Sequence, residues 1–96
     1  MDSRPPPEVR HEESENRYVI DIDGMQAVAD YEYVDEKQVF THTYVPPELR
    51  GRGLAEALVR TALDDAKKAG RKVVPACSYV GVFIDRHKQY KELLAS

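Results

Sequence analysis

The segment VPPELRGRGLAEALV, residues 45–59, decides the fold. It leaves a β-branched run through Pro46 and Pro47, and since neither proline can donate to a ladder, a strand ends there. Arg50-Gly51-Arg52-Gly53 follows, and from Leu54 the apolar residues recur at helical spacing. Glycine gives up roughly 0.5–1 kcal/mol of helix stability relative to alanine at an interior position, so glycines at the mouth of a helix imply another gain. A strand that turns straight into a helix aims the first unpaired N–H groups, and the positive end of the helix dipole, past the strand tip. A phosphate suits that place. Glycines let its oxygens reach the backbone with no Cβ in the way, and an arginine at the entrance adds a charged donor. The competing reading is an ordinary glycine-rich loop with two solvated arginines.

Upstream of this segment the period is two. Tyr18, Ile20 and Ile22 alternate with Val19, Asp21 and Asp23, and Asp23-Gly24 is a hairpin turn signal. A second run over 26–34 and a polar turn at Asp35-Glu36-Lys37 lead into a third strand over 38–45, giving an antiparallel meander. Strict alternation in that third strand puts Val39, Thr41, Thr43 and Val45 on one face and Phe40, His42 and Tyr44 on the other.

Downstream, a helix is expected over about 53–69, its stripe built from Leu54, Leu58, Ala62 and Ala66 with Ala55, Val59 and Leu63 beside them. Glu56 with Arg60 and Asp64 with Lys68 are spaced as i,i+4 ion pairs, and Gly70 fits a C-terminal stop. Residues 72–77 read as a short buried strand, with Pro75 at a bulge or an edge. Strand, helix and strand in succession imply a right-handed crossover, hence a fourth strand parallel to the third. Residues 79–94 form a second amphipathic helical segment that breaks near Arg86-His87. The expected fold class is α+β: a three-strand antiparallel meander, a helix, a parallel strand and a C-terminal helix.

The first fifteen residues, MDSRPPPEVRHEESE, combine three prolines with a charge run. They are expected to form a disordered or loosely held arm, 1–15, before a domain at 16–96. His11 within it reads as a solvated tail histidine. Ninety-six residues make one small domain, and a net charge of −3 gives no general attraction to nucleic acid or anionic lipid. No apolar run approaches the ~20 residues that cross a bilayer, and no signal-peptide core is present near Met1, which predicts a cytoplasmic chain. The single cysteine, Cys77, is either buried filler or a reactive thiol.

Two phosphate motifs are excluded. A nucleoside-triphosphate loop needs Gly-Lys-Ser/Thr where this chain has Gly53-Leu54-Ala55, and a dinucleotide fingerprint belongs after the first strand of a parallel unit. Instead, Arg50-Gly51-Arg52-Gly53-Leu54-Ala55 resembles the pyrophosphate signature of the GNAT superfamily of N-acetyltransferases, Arg/Gln-x-x-Gly-x-Gly/Ala, and lies between a strand and a long helix as it does there. His42-Thr43-Tyr44-Val45-Pro46 and Pro75-Ala76-Cys77-Ser78-Tyr79-Val80 are similar to the motifs of a subfamily of short GNAT-like proteins. The likeness spans roughly 17–94.

The resemblance implies acetyl-CoA as cosubstrate and an amine as acceptor, with no metal. Backbone amides around Arg52, Gly53, Leu54 and Ala55 would hold the pyrophosphate, with Arg50 and Gly51 at the entrance. The pantetheine arm would lie along Thr43, Tyr44 and Val45, where two parallel strands splay, and point the acetyl group towards Cys77. The chain departs from the superfamily in lacking the two helices between the first strands that build the acceptor pocket, so the acceptor is undefined. Its Phe83-Ile84 stands where a Phe-Tyr pair usually supplies a tyrosine acid, which leaves Tyr79 or Tyr90 for that task. Chemically, His42 suits a general base at neutral pH, and Cys77 suits an acyl carrier or a proton donor, each against the plainer reading of a sheet histidine and a small filler. His87, between Arg86 and Lys88, reads as a solvated helix-end residue. The expected function is acetyl transfer to an amine on a small molecule or protein; the alternative is an acetyl-CoA or coenzyme A binding module without efficient turnover.

Overall fold

The computed structural model describes residues 7–95. A five-stranded sheet runs in the order β1-β2-β3-β4-β5, made of β1 Arg10–Glu12, β2 Arg17–Ile22, β3 Met25–Val34, β4 Lys37–Tyr44 and β5 Val73–Pro75. Helix α1, Leu54–Lys68, connects β4 to β5, and α2, Ser78–Arg86, follows β5. The first four strands pair antiparallel and the last pair is parallel, as the crossover requires. This is the α+β architecture expected.

Two tight turns set the meander. Asp23 and Gly24 have φ of 51° and 77°, and Asp35 and Glu36 have φ of 50° and 66°. Both turns therefore use the left-handed pair that matches the twist of a hairpin. The α1 stripe is buried as its spacing implies: Leu54, Leu58, Val59, Ala62, Leu63 and Ala66 are all enclosed. The helix stops at Gly70, φ 66°, where the Arg71 N–H bonds the Ala66 carbonyl at 2.9 Å and the Gly70 N–H bonds that of Lys67 at 3.2 Å. Glu56 pairs with Arg60 at 3.6 Å. Asp64 does not turn to Lys68; it accepts from the Tyr90 hydroxyl at 2.7 Å, because Tyr90 packs across α1 from the C-terminal segment. That segment breaks at His87 into a 3₁₀ helix, Lys88–Leu93.

The strand residues of the main core cluster lie on one face of the sheet: Tyr18 and Ile20, Ala27, Ala29 and Tyr31, Phe40 and Val73; Val19, also fully buried, lies on the other. The buried residues of α1, α2 and the 3₁₀ helix join them there, so among the described residues the opposite face carries no helix.

The arm needs correction. Residues 1–6 lie outside the described residues, but Arg10–Glu12 is a strand paired with β2, so the domain begins well before residue 16. Composition hid it, because β1 contributes one ring rather than an apolar run. His11 lies on Tyr18, centroids 4.0 Å apart and planes within 6°, and its Nε2 is 2.5 Å from the Tyr31 hydroxyl. It is half-buried, not a solvated tail residue.

The facing of β4 is the second correction. Asp30 pairs with His42 but Tyr31 pairs with Phe40, leaving Thr41 as an extra residue. This bulge shifts the alternation by one. Thr43, opposite Ala29, therefore shares the core face with Phe40, while His42 and Tyr44 share the open face.

Candidate active site

The loop after β4 is shaped by its glycines. A 3₁₀ turn, Pro47–Leu49, is followed by Gly51 at φ 84° and Gly53 at φ 75°, conformations that cost an L-residue roughly 1–2 kcal/mol. The first bond of α1 runs from the Ala57 N–H to the Gly53 carbonyl at 3.1 Å. The N–H groups of Leu54, Ala55 and Glu56 therefore have no partner inside the helix and lie at its positive end. Arg50 folds back so that its Nε donates to the Val45 carbonyl at 3.0 Å, fixing the loop to the end of the strand.

Beside this loop lies a cavity of about 240 Å³ lined by Val45, Leu49, Arg50, Gly51, Gly53 to Glu56 and Tyr79. It opens where β4 and β5 part. Their pairing spans only Gln38–Phe40 against Val73–Pro75, with a last bond from the Cys77 N–H to the Phe40 carbonyl at 2.8 Å. Beyond it β4 continues to Tyr44 with β3 alone, which leaves its other edge open to an extended ligand. Because α1 and α2 both start at the ends of parallel strands, two helix N-termini face this cleft.

Cys77 is the N-cap of α2 and half-buried. Its Sγ lies 3.5 Å from the Thr43 hydroxyl. Burial works to raise the thiol, but Thr43 and the backbone N–H groups of Val80 and Tyr79 outweigh it, so the thiol sits below its ordinary value. Tyr79 stands on the cavity wall, and burial raises its phenol, helped by the charge of Glu56, so that it keeps its proton at neutral pH.

Most of the residues expected at the cosubstrate lie around one cavity. Val45, Arg50, Gly51, Gly53, Leu54 and Ala55 line the cavity; Thr43 does not, and its hydroxyl lies instead 3.5 Å from Cys77 Sγ. Tyr44 and Arg52 do not line it. Tyr44 stacks on His42, centroids 6.3 Å apart, on the open face. His42 and Cys77 are not side by side: the bulge sends His42 to the open face and leaves Thr43 to meet the thiol from the helix side. They flank the splay from opposite sides of the sheet. Leu49 and Glu56 line the cavity unanticipated; Glu56, as the third residue of α1, could have been found from the helix start alone.

His87 is also corrected. Its ring stacks on Phe83, centroids 4.1 Å apart, and its Nδ1 lies 2.8 Å from the Phe83 carbonyl, which can only accept, so Nδ1 carries the proton. Nε2 then faces Arg60 Nη2 at 3.4 Å as an acceptor. Among the described residues no group of three or more His, Cys, Asp or Glu is arranged to hold a metal, and no helix is long and apolar enough to cross a membrane.

Comparison with known proteins agrees with this arrangement. Residues 17–93 match the family model described as GCN5-related N-acetyl-transferase. Protein NATD1 of Danio rerio is 35% identical over 89 residues, spanning 88% of this chain and 81% of the relative. The Homo sapiens protein of that name is 33% identical over 94 residues, spanning 93% and 83%. The solution structure of a GCN5-like protein from Staphylococcus aureus superposes with a TM-score of 0.72 at 24% identity, covering 93% of this chain and 88% of that one, a likeness of fold. From glycine loop to parallel splay, the chain belongs to the GCN5-related N-acetyltransferase family.

Proposed function

We propose that this protein binds acetyl-CoA in the cleft between β4 and β5 and transfers the acetyl group to an amine. The observation that carries the reading is the 240 Å³ cavity in which the unpaired first turn of α1 meets Val45, at the end of β4, and Tyr79 of α2. The pyrophosphate would take the N–H groups of Leu54 to Glu56, the glycine loop giving it access, and the pantetheine amides would add to the free edge of β4.

In the transfer, the amine nitrogen forms a bond to the thioester carbonyl carbon, the carbon–sulfur bond breaks and coenzyme A leaves as a thiolate. His42, on the open face, takes the proton of an amine arriving from that side. Tyr79 and Cys77, on the helix side, supply the proton the thiolate needs. An alternative order passes the acetyl group first to the Cys77 thiolate, which the lowered thiol value favours. A second reading, a coenzyme A binding module without efficient turnover, is favoured by the sheet face opposite the helices, where no helix among the described residues closes an acceptor pocket.

Calorimetry with acetyl-CoA, followed by a thiol-release assay over a panel of amines, tests the proposal. Arg50→Ala is expected to weaken acetyl-CoA binding by about 1.5–3 kcal/mol, since it removes a charged donor and loosens the loop. His42→Ala should slow turnover by about 10²–10⁴-fold with cosubstrate affinity nearly intact, and Cys77→Ser should be mild. An acetyl adduct on Cys77 that discharges onto amine would establish the covalent order; acetyl-CoA binding without any acceptor would establish the binding module. Wild-type affinity in Arg50→Ala would reject the site.

A further inference from the structure

We propose that Glu56 is an internal counter-anion at the phosphate cradle: its carboxylate stabilises the empty start of α1 and opposes the diphosphate of coenzyme A, and so sets cosubstrate affinity below what the glycine loop alone would give. This rests on placing the pyrophosphate at residues 50–56.

The start of α1 has little of its own to offer its unpaired N–H groups. The N-cap is Gly53, which has no side chain to accept from them, and no side chain bonds the cap. Glu56 is the acid of the first turn and stands three residues after the cap, the place from which a carboxylate complements the positive end of the helix. Its side chain is 46% exposed, and Arg60 holds it at 3.6 Å as an ion pair. Arg60 is also committed elsewhere, to the Phe83 ring at 5.4 Å and to His87 Nε2 at 3.4 Å. The carboxylate is therefore neither buried nor fully neutralised.

The same residue stands at the place proposed for the diphosphate. Among the described residues that line the 240 Å³ cavity, Arg50 and Glu56 carry charge, and their signs are opposite. The charge of Glu56 is felt across the cavity, since after burial it is the next cause of the raised Tyr79 phenol. A diphosphate seated on the N–H groups of Leu54 to Glu56 would share one turn of helix with that carboxylate, a rise of about 5.4 Å and well inside the ~8 Å over which physiological salt screens charge. Arg50 draws the ligand in and Glu56 works against it. Acetyl-CoA and coenzyme A carry the same diphosphate, so the penalty falls on substrate and product alike: Glu56 adjusts how tightly either is held, not which is chosen.

Glu56→Gln keeps the shape of the side chain and removes its charge, and two measurements on the full chain should then move in opposite directions. Calorimetry at low salt should show coenzyme A bound about 5- to 10-fold more tightly by the variant. The thermal midpoint of the free variant should fall by roughly 2–4 °C, because the first turn has lost its acid. Raising the salt to about 0.5 M should remove most of the gain in affinity. Asp85→Asn makes the same change in net charge at an exposed position of α2 outside the cavity, and should stay within about twofold of the unsubstituted chain. Unchanged or weaker binding by Glu56→Gln, a gain that survives salt, an equal gain in Asp85→Asn, or an unlowered midpoint overturns the counter-anion and leaves the glycine loop standing. Failure of the unsubstituted chain to bind coenzyme A overturns the loop as well.

Discussion

The two ends of the sheet are built to opposite specifications. At the β1–β3 end every ring meets another group. His11 lies on Tyr18 and reaches the Tyr31 hydroxyl, the Tyr18 hydroxyl donates to Asp65 of α1 at 2.8 Å, and Arg10 ties Glu12 to Asp21. At the β4–β5 end the strands part after three residue pairs, the edge of β4 is open, and two helices begin with unpaired N–H groups. The first end engages its rings and most of its polar side chains with one another and contributes stability. The second keeps donors and half-exposed side chains available, which a binding site needs and a core does not. Under the proposed function, stability and ligand recognition are largely separated along one small sheet, and substitutions at the two ends should give different phenotypes.

The largest test removes part of the closed end. A chain lacking residues 1–14 loses β1, uncovers the Tyr18 ring and frees the packing of Val9, for an expected cost of about 2 kcal/mol and a thermal midpoint lower by roughly 10 °C. Its acetyl-CoA affinity, measured below the new midpoint, should match the full chain. Unchanged stability would mean that β1 is an ornament on the edge, and a loss of affinity would break the separation of the two ends.

A smaller effect comes from the buried phenols. Burial raises Tyr18, with Asp65 adding to it, and burial raises Tyr31, with Tyr33 adding to it. Below about pH 10 both phenols are protonated folded and unfolded, so they make stability flat with pH. Above it the unfolded chain releases protons that the folded chain retains, and stability falls as pH rises. Tyr18→Phe should cost about 1 kcal/mol at neutral pH through the lost bond to Asp65, and should make the alkaline decline shallower. Denaturant titrations between pH 7 and 11 measure both; an unaltered alkaline slope would show that Tyr18 is not the group responsible.

The smallest change sharpens the comparison by strengthening the hairpin between the two ends. Glu36 holds φ 66° in its turn and is exposed, so Glu36→Gly relieves left-handed strain and should stabilise by about 0.5–1 kcal/mol without altering acetyl-CoA binding. A destabilised Glu36→Gly would mean that the cost of glycine in the unfolded chain exceeds the strain it relieves.

Much of this molecule was legible from local pattern. Asp23-Gly24, Pro46-Pro47, Gly53 and Gly70 mark their turns and ends because each meets a backbone requirement that only a few residues satisfy. The α1 stripe follows from its 3.6-residue spacing, and the break at His87 fell where it was expected. What escaped was decided by contacts between segments distant in sequence. His11 gave no local sign of meeting Tyr18 and Tyr31, and His87 gave none of stacking on Phe83 and facing Arg60. Asp64 could have paired along its own helix, yet the hydroxyl of Tyr90 arrives from another segment and takes its place.

The sequence by itself determined the elements from β2 onward, their order, the glycine-shaped start of α1 and the family signature, because these rest on backbone conformation and on spacing within a few residues. Only the tertiary structure decided which side of β4 each site residue occupies. A single extra residue, Thr41, reverses the alternation beyond it, so Thr43 rather than His42 meets Cys77. Nothing in residues 37–45 announces that reversal, because it is set by the register of β3, where Asp30 and Tyr31 take up partners two residues apart.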